Sequence, residues 1–191
     1  MATFPRAVDG LGIDAAEDAA RTFLEALGVD CDSPGTQSSP RRMAEAYAEM
    51  LTPRPFEMTT FANDEEYDEL VVVRSIPVHS ICEHHLLPFF GVAHVGYLPG
   101  HRILGLSKFA RVVEMFARRP QVQERLTRQV ADWIDLRLAP RGVGVVIEAE
   151  HLCMTLRGVG AAGARTTTSA LSGALRDSPA TRAEFLAAVR P

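Results

Sequence analysis

Apolar residues recur at helical spacing through residues 14–27 (DAAEDAARTFLEAL) and stop at Gly28, which predicts a first helix. Residues 29–38 are rich in Asp, Ser, Pro and Gly and read as loop. Ser39 followed by Pro40 has the form of an N-cap with proline at the first helical position, and that helix runs to about Leu51, before Pro53 and Pro55. Residues 56–69 are polar and acidic, the texture of an exposed connection. The pattern then turns to β over LVVVRSIPVHSI (70–81) and PFFGVAHVGYLP (88–99), separated by CEHHLL, with a turn signal at 99–101. Ser107 is placed to cap a helix whose Phe109, Val112, Val113 and Phe116 share a face. Pro120 ends that helix and opens another, carrying Val122, Leu126, Val130, Trp133 and Ile134 and stopping near residues 140–142. VGVVIEAEHLCMTL (143–156) reads as one strand, RTTTSALSG (165–173) as a shorter one, and Ser178-Pro179 starts a last helix.

Two helices, two strands, two long helices, two strands and a final helix predict an α+β domain. The expected organisation is an N-terminal helical arm over residues 1–55 and a catalytic domain over 56–191. Four strands leave two open edges, which neighbouring copies commonly cover, so an oligomer is expected.

Composition narrows the class. The chain has 191 residues, 47% hydrophobic and 23% charged, enough to bury a core without disulfides. A net charge of -4 argues against a nucleic-acid partner. No apolar run approaches a membrane span, and MATFPRAVDG lacks a signal pattern. Three cysteines do not make a secreted disulfide framework, so a cytoplasmic protein with reduced thiols is expected.

Those thiols matter for chemistry. Cys82 and His85 stand three apart, a spacing that lets both meet one ion across a tight turn, although alone it is a common coincidence. Alternation along the strand puts Val145, Ile147, Ala149, His151 and Cys153 on one face. A buried thiol beside a hydrogen-bonded core histidine, or a Cys82–Cys153 disulfide, are the plainer readings. Together, however, Cys82, His84, His85, His151 and Cys153 form a pool from which three could hold zinc, leaving a fourth position for water. Spacing does not choose among them. Neighbours His84 and His85 can hardly both face one ion, and His151 and Cys153 would sit about 6–7 Å apart along a strand.

Lys108 and Arg111 lie one turn apart at the start of a helix, where cations oppose the dipole unless an anion sits there. Arg157 and Arg42 are further cations that a polyphosphate could use. Glu124, in the first turn of the following helix, suits the dipole but also suits paired N–H donors such as those on guanine.

Four segments, SICEHHLLPFFG, GYLPGHRILGLSKFARVVEMFARRPQVQERLTRQV, EAEHLCMTLRGV and RTTTSALSG, resemble the consecutive signatures of GTP cyclohydrolase I, from about residue 39 to the C-terminus. The resemblance implies the tunnelling (T) fold: an antiparallel sheet with two long helices on one face, assembled into a homodecamer of two stacked pentamers. It implies conversion of GTP and water to 7,8-dihydroneopterin triphosphate and formate, the opening step of pterin and folate synthesis. It assigns Cys82, His85 and Cys153 to zinc, and His84 and His151 to catalysis. By the same resemblance, Glu124, with Gln123 beside it, is expected to read guanine and Ser107 to lie near the ribose. It implies that Lys108, Arg111, Arg157 and Arg42 contact the triphosphate, Arg42 from a neighbouring subunit. SPGTQSSP stands where the family usually has Arg-Glu-Gly-Leu and Asp-Thr-Pro, and Gly160 and Ala164 stand where Arg and Ser are frequent. The competing functions are a specialised T-fold paralogue serving deazapurine or secondary metabolism, and a non-catalytic assembly stabilised by zinc.

Overall fold

The computed structural model describes residues 11–190. Two helices, α1 (Ile13–Ala26) and α2 (Ser39–Leu51), pack on each other, with Arg41 reaching Asp14 at 2.7 Å and Glu17 at 3.2 Å. Gly28 adopts φ +84°, the left-handed conformation that ends the first helix. Helix α2 begins one residue earlier than expected: Ser38 takes the cap position without a side-chain bond, and Pro40 sits inside the first turn.

Strands β1 (Thr60–Ala62), β2 (Val71–Cys82), β3 (Pro88–Leu98) and β4 (Arg102–Leu104) follow. The acidic connection is therefore not wholly loop, because β1 and β4 form a small antiparallel ladder. Next come α3 (Leu106–Ala117), β5 (Pro120–Gln121), α4 (Gln123–Leu138) and β6 (Gly142–His151). The chain ends with α5 (Leu152–Thr155), β7 (Thr166–Gly173), α6 (Ala174–Asp177) and α7 (Pro179–Ala188).

The main sheet has the order β5-β2-β3-β6-β7, antiparallel except where β5 runs parallel to the end of β2. Three expectations change here. Pro120 does not open α4 but starts β5, whose Gln121 pairs with Cys82; proline is tolerated at the first residue of an edge strand. Ser107 does not cap α3, since Gly105 holds that position and Ser107 lies exposed in the first turn. The strand through 143–156 stops at His151, so Cys153 belongs to α5 and does not share a strand face with His151.

Helices α3 and α4 cover one face of the sheet, as the resemblance implies. Phe109, Val112, Val113, Leu126, Val130 and Ile134 meet Val78, Phe89, Val95, Val145 and Ile147 there, all fully buried. Each such side chain contributes about 1.5–3 kcal/mol by leaving water. On the other face, α7 lays Phe185 over Gly96 and Gly144, where an added Cβ would come within 2.8 Å and 2.6 Å of the ring. No helix among the described residues is long and apolar enough to cross a membrane.

Candidate metal and substrate site

The segment after β2 is a clamped turn. Cys82 N–H donates to Leu87 O, and the amides of His85 and Leu86 both donate back to Cys82 O. Leu86 takes φ +53° to close it. Glu83 N–H donates to Gln121 O on β5, and the Glu83 carboxylate is gripped by Arg125 of α4 at 2.5 and 2.9 Å. That guanidinium holds Glu83 below the usual carboxylate range. The backbone carrying Cys82, His84 and His85 is thereby tied to β5 and α4.

The second half arrives on β6. Antiparallel register puts His151 opposite Phe89, and the two rings stack with centroids 4.4 Å apart and 10° between planes. The chain then turns into α5, and this turn brings Cys153 Sγ to 3.9 Å from Cys82 Sγ. Cys82 Sγ lies 3.8 Å from His85 Nδ1. The donor atoms of Cys82, His85 and Cys153 all fall within 4.8 Å of one another, a group able to hold a metal ion. Tetrahedral zinc, with bonds of about 2.3 Å to sulfur and 2.0–2.1 Å to nitrogen, sets donor–donor edges of about 3.5–3.8 Å. The donor set and its spacing fit. A disulfide needs about 2.05 Å, and both thiols are free. His84, whose side chain is 65% exposed, stays outside the three-residue group although its Nδ1 comes within 4.0 Å of Cys82 Sγ. Burial, then the hydrogen bond and charge of Cys82, push the Cys153 thiol upward, while Arg157 pulls the other way. A bound dication would outweigh both.

Gln123 organises the remaining corner. It is 2% exposed, and its Nε2 donates to Ile147 O, Thr166 O and Thr168 Oγ1. With the NH2 group spent on acceptors, Oε1 faces His151 Nε2 at 2.8 Å and must accept from it. The imidazole proton is therefore on Nε2, and Nδ1 keeps its lone pair. Burial holds His151 below the ordinary imidazole range, against a smaller opposing effect of Glu124. Cys82, His84, His85, Glu124, His151 and Cys153 border one cavity of about 230 Å3, with Gln123 in its wall.

Ser107, Lys108, Arg111, Arg42 and Arg157 do not border it. Helix α3 ends against β2 two residues before Cys82, where Ser80 Oγ donates to Ala117 O at 2.6 Å. At 1.5 Å per residue its start, with Ser107 and Lys108, lies roughly 15 Å further along the axis. Arg111 pairs with Glu114, which also binds Arg54 and Arg118. Arg42 is exposed on α2, and Arg157 is exposed just beyond α5. Three contacts escaped the sequence reading: the Gln123–His151 bond, the Phe89 stack and the Glu83–Arg125 pair. Each joins residues from separate elements, so no local spacing announces them.

A family model described as GTP cyclohydrolase I matches residues 16–190. "GTP cyclohydrolase 1" of Thermobifida fusca is 54% identical over 175 residues, 89% of this chain and 84% of that one. The protein of the same name from Mycobacteroides abscessus is 54% identical over 178 residues, 90% of this chain and 86% of that one. Among solved structures, the apo form of the archaeosine synthase QueF-Like aligns with a TM-score of 0.43 and 20% identity, covering 55% of this chain and 93% of that one. A model spanning 16–190, together with relatives at 54% identity over nine-tenths of the sequence, places the chain in the GTP cyclohydrolase I family.

Proposed function

We propose that the chain opens the imidazole ring of GTP with water and rearranges the product to 7,8-dihydroneopterin triphosphate and formate. One observation carries the reading: a Cys82–His85–Cys153 donor group shares a cavity with Glu124 and with a His151 whose tautomer Gln123 selects. Cys82, His85 and Cys153 would hold a zinc ion, which would supply Lewis-acid chemistry and lower the pKa of water beside the guanine C8.

The chain's own residues then divide the work. The Glu124 carboxylate accepts the guanine N1–H and 2-amino hydrogens, which orients C8 toward the donor group. His151, anchored through Nε2–H and stacked on Phe89, takes and returns protons at Nδ1. His84, on the exposed side of the turn, moves the others needed for formate release, ribose rearrangement and pterin closure. Ser107 meets the ribose, and Lys108, Arg111, Arg157 and Arg42 bind the triphosphate.

A second copy completes the site. A cavity of about 230 Å3 is smaller than the roughly 300–1,000 Å3 usual for small-molecule sites. Lys108 lies about 14 Å and Arg111 about 9 Å along α3 from its end near Cys82, and we assign their contacts to a site completed across a subunit boundary. We accordingly assign a homo-oligomer, the decamer implied by the family, with residues 1–55 as an arm and 56–191 as the catalytic domain. The test is GTP turnover and metal content on one sample. Zinc-loaded, assembled protein should release formate and, after oxidation, a fluorescent pterin; release of neither overturns the proposal.

A further inference from the structure

A second cavity, of about 520 Å3, opens on the face of the sheet away from α3 and α4. No residue lining it lines the metal cavity. Its floor crosses the sheet from Arg74 and Ser75 on β2, through His94 on β3 and Glu148 on β6, to Thr167 on β7. Arg165 and Arg190 also line it.

The floor is built around a bulge. Pairing steps from Val73↔Val95 to Ile76↔Ala93, so Arg74 and Ser75 together oppose His94 alone. Ser75 takes φ +56°, a left-handed conformation costing a non-glycine residue about 1–2 kcal/mol. Strain of this kind persists where the surrounding structure imposes it, and it concentrates at binding sites. Here it turns the Ser75 N–H onto His94 Nδ1 at 3.4 Å. His94 is 8% exposed and its ring proton is therefore on Nε2, which has no hydrogen-bond partner among the described residues. That N–H lies open to the cavity and can donate to a ligand oxygen.

The charges around it are mostly cationic. Among the described residues, three guanidiniums, of Arg74, Arg165 and Arg190, line the cavity with one carboxylate, Glu148, which Arg165 holds at 2.8 Å. Arg74 donates to the main-chain O of Arg190 at 3.1 Å, which ties the Arg74 guanidinium to the segment after α7. Adding Ser75 and Thr167 hydroxyls and the His94 N–H gives more donors than the two oxygens of a carboxylate can use. A phosphate monoester presents three oxygens and about -2 charge, and arginine grips it in a bidentate manner. Val146 and Leu186 leave an apolar wall for the body of such a molecule.

We propose that this cavity binds a small organic phosphate, separately from the GTP site. The probe is phenyl phosphate, titrated calorimetrically into the full, zinc-loaded, assembled protein, with benzoate as the carboxylate arm. Saturable binding is expected, at least tenfold tighter than benzoate. It should weaken at least tenfold in Arg74→Gln/Arg165→Gln and stay within twofold in Lys108→Ala/Arg111→Ala, which removes cations assigned to the triphosphate. Thr167→Asp, which sets a carboxylate in the cavity, gives an independent variant and should also weaken binding at least tenfold. Absence of binding at millimolar probe overturns the proposal. So does equal affinity for benzoate, indifference to both cavity variants, or loss in Lys108→Ala/Arg111→Ala.

Discussion

Gln123 Oε1 lies 2.8 Å from His151 Nε2, and the same Gln123 amide is bound to the backbone of β6 and to Thr166 O. One buried side chain thus sets the orientation of the proposed proton carrier from two strands at once. Replacing Gln123 with Leu, similar in size, removes the His151 partner and leaves Ile147 O and Thr166 O without their donor. We expect kcat to fall about 10–100-fold, as losses of supporting hydrogen bonds do, with KM for GTP changed far less. Thermal stability should also fall, by about 1–3 kcal/mol for the stranded acceptors. Steady-state kinetics beside a melting curve measures both, and an unchanged kcat would remove Gln123 from the catalytic account.

Metal content separates ligands from proton carriers. Cys153→Ala deletes a donor 3.9 Å from Cys82 Sγ and should abolish stoichiometric zinc. His151→Ala should retain zinc and assembly but lose about 10²–10⁴ in turnover, the usual contribution of a positioned acid–base group. Elemental analysis, size measurement and formate release on the same preparations check this. A zinc-stabilised assembly without catalysis predicts no functional change in His151→Ala.

Gly144 is required by packing. A Cβ there would stand 2.6 Å from the Phe185 ring. Gly144→Ala should destabilise by about 1–3 kcal/mol, the usual cost of overpacking. At this chain length that is roughly 2–4 °C in Tm per kcal/mol. Adding Phe185→Leu should recover part of the loss, giving a non-additive double-mutant cycle by calorimetry.

His94 makes stability depend on pH. Burial, then Arg74, push its imidazole below the ordinary range, and Glu148 opposes them more weakly. Arg165 and Arg190 also face it across the cavity. Because the folded form binds its proton less readily than the unfolded chain, whose value is about 6.5, stability is present above that pH. It is lost as pH falls through the lower folded value. His94→Gln should therefore show a shallower decline in Tm between about pH 7.5 and 5 than the parent. Equal slopes would show that His94 does not titrate in this way.

The pattern of apolar residues carried the element order well. The helices around Phe109–Phe116 and Leu126–Ile134 and the four long strands lie where period and punctuation put them, because each buries one face against a single core. Short elements were illegible. Strand β5 is two residues opened by a proline, and it exists because Cys82 and Gln121 pair across the sheet. The end of β6 was missed for a related reason: alternation continues through Cys153, while the backbone turns at Leu152.

The sequence by itself determined which chemical groups are available: the thiols of Cys82 and Cys153, the histidines, Glu124 and the arginines, with motifs specific enough to indicate a family. Only the tertiary structure decided which of them meet. Cys82 reaches Cys153 across 71 positions through β3–β6 pairing and the α5 turn, and Gln123 reaches His151 across 28. Lys108 and Arg111, close to Glu124 in sequence, are carried away by the length of α3. Local periodicity reports which face of an element is buried. It does not encode the long-range register that brings donor atoms within reach of one shared ion or carries other groups away along a helix.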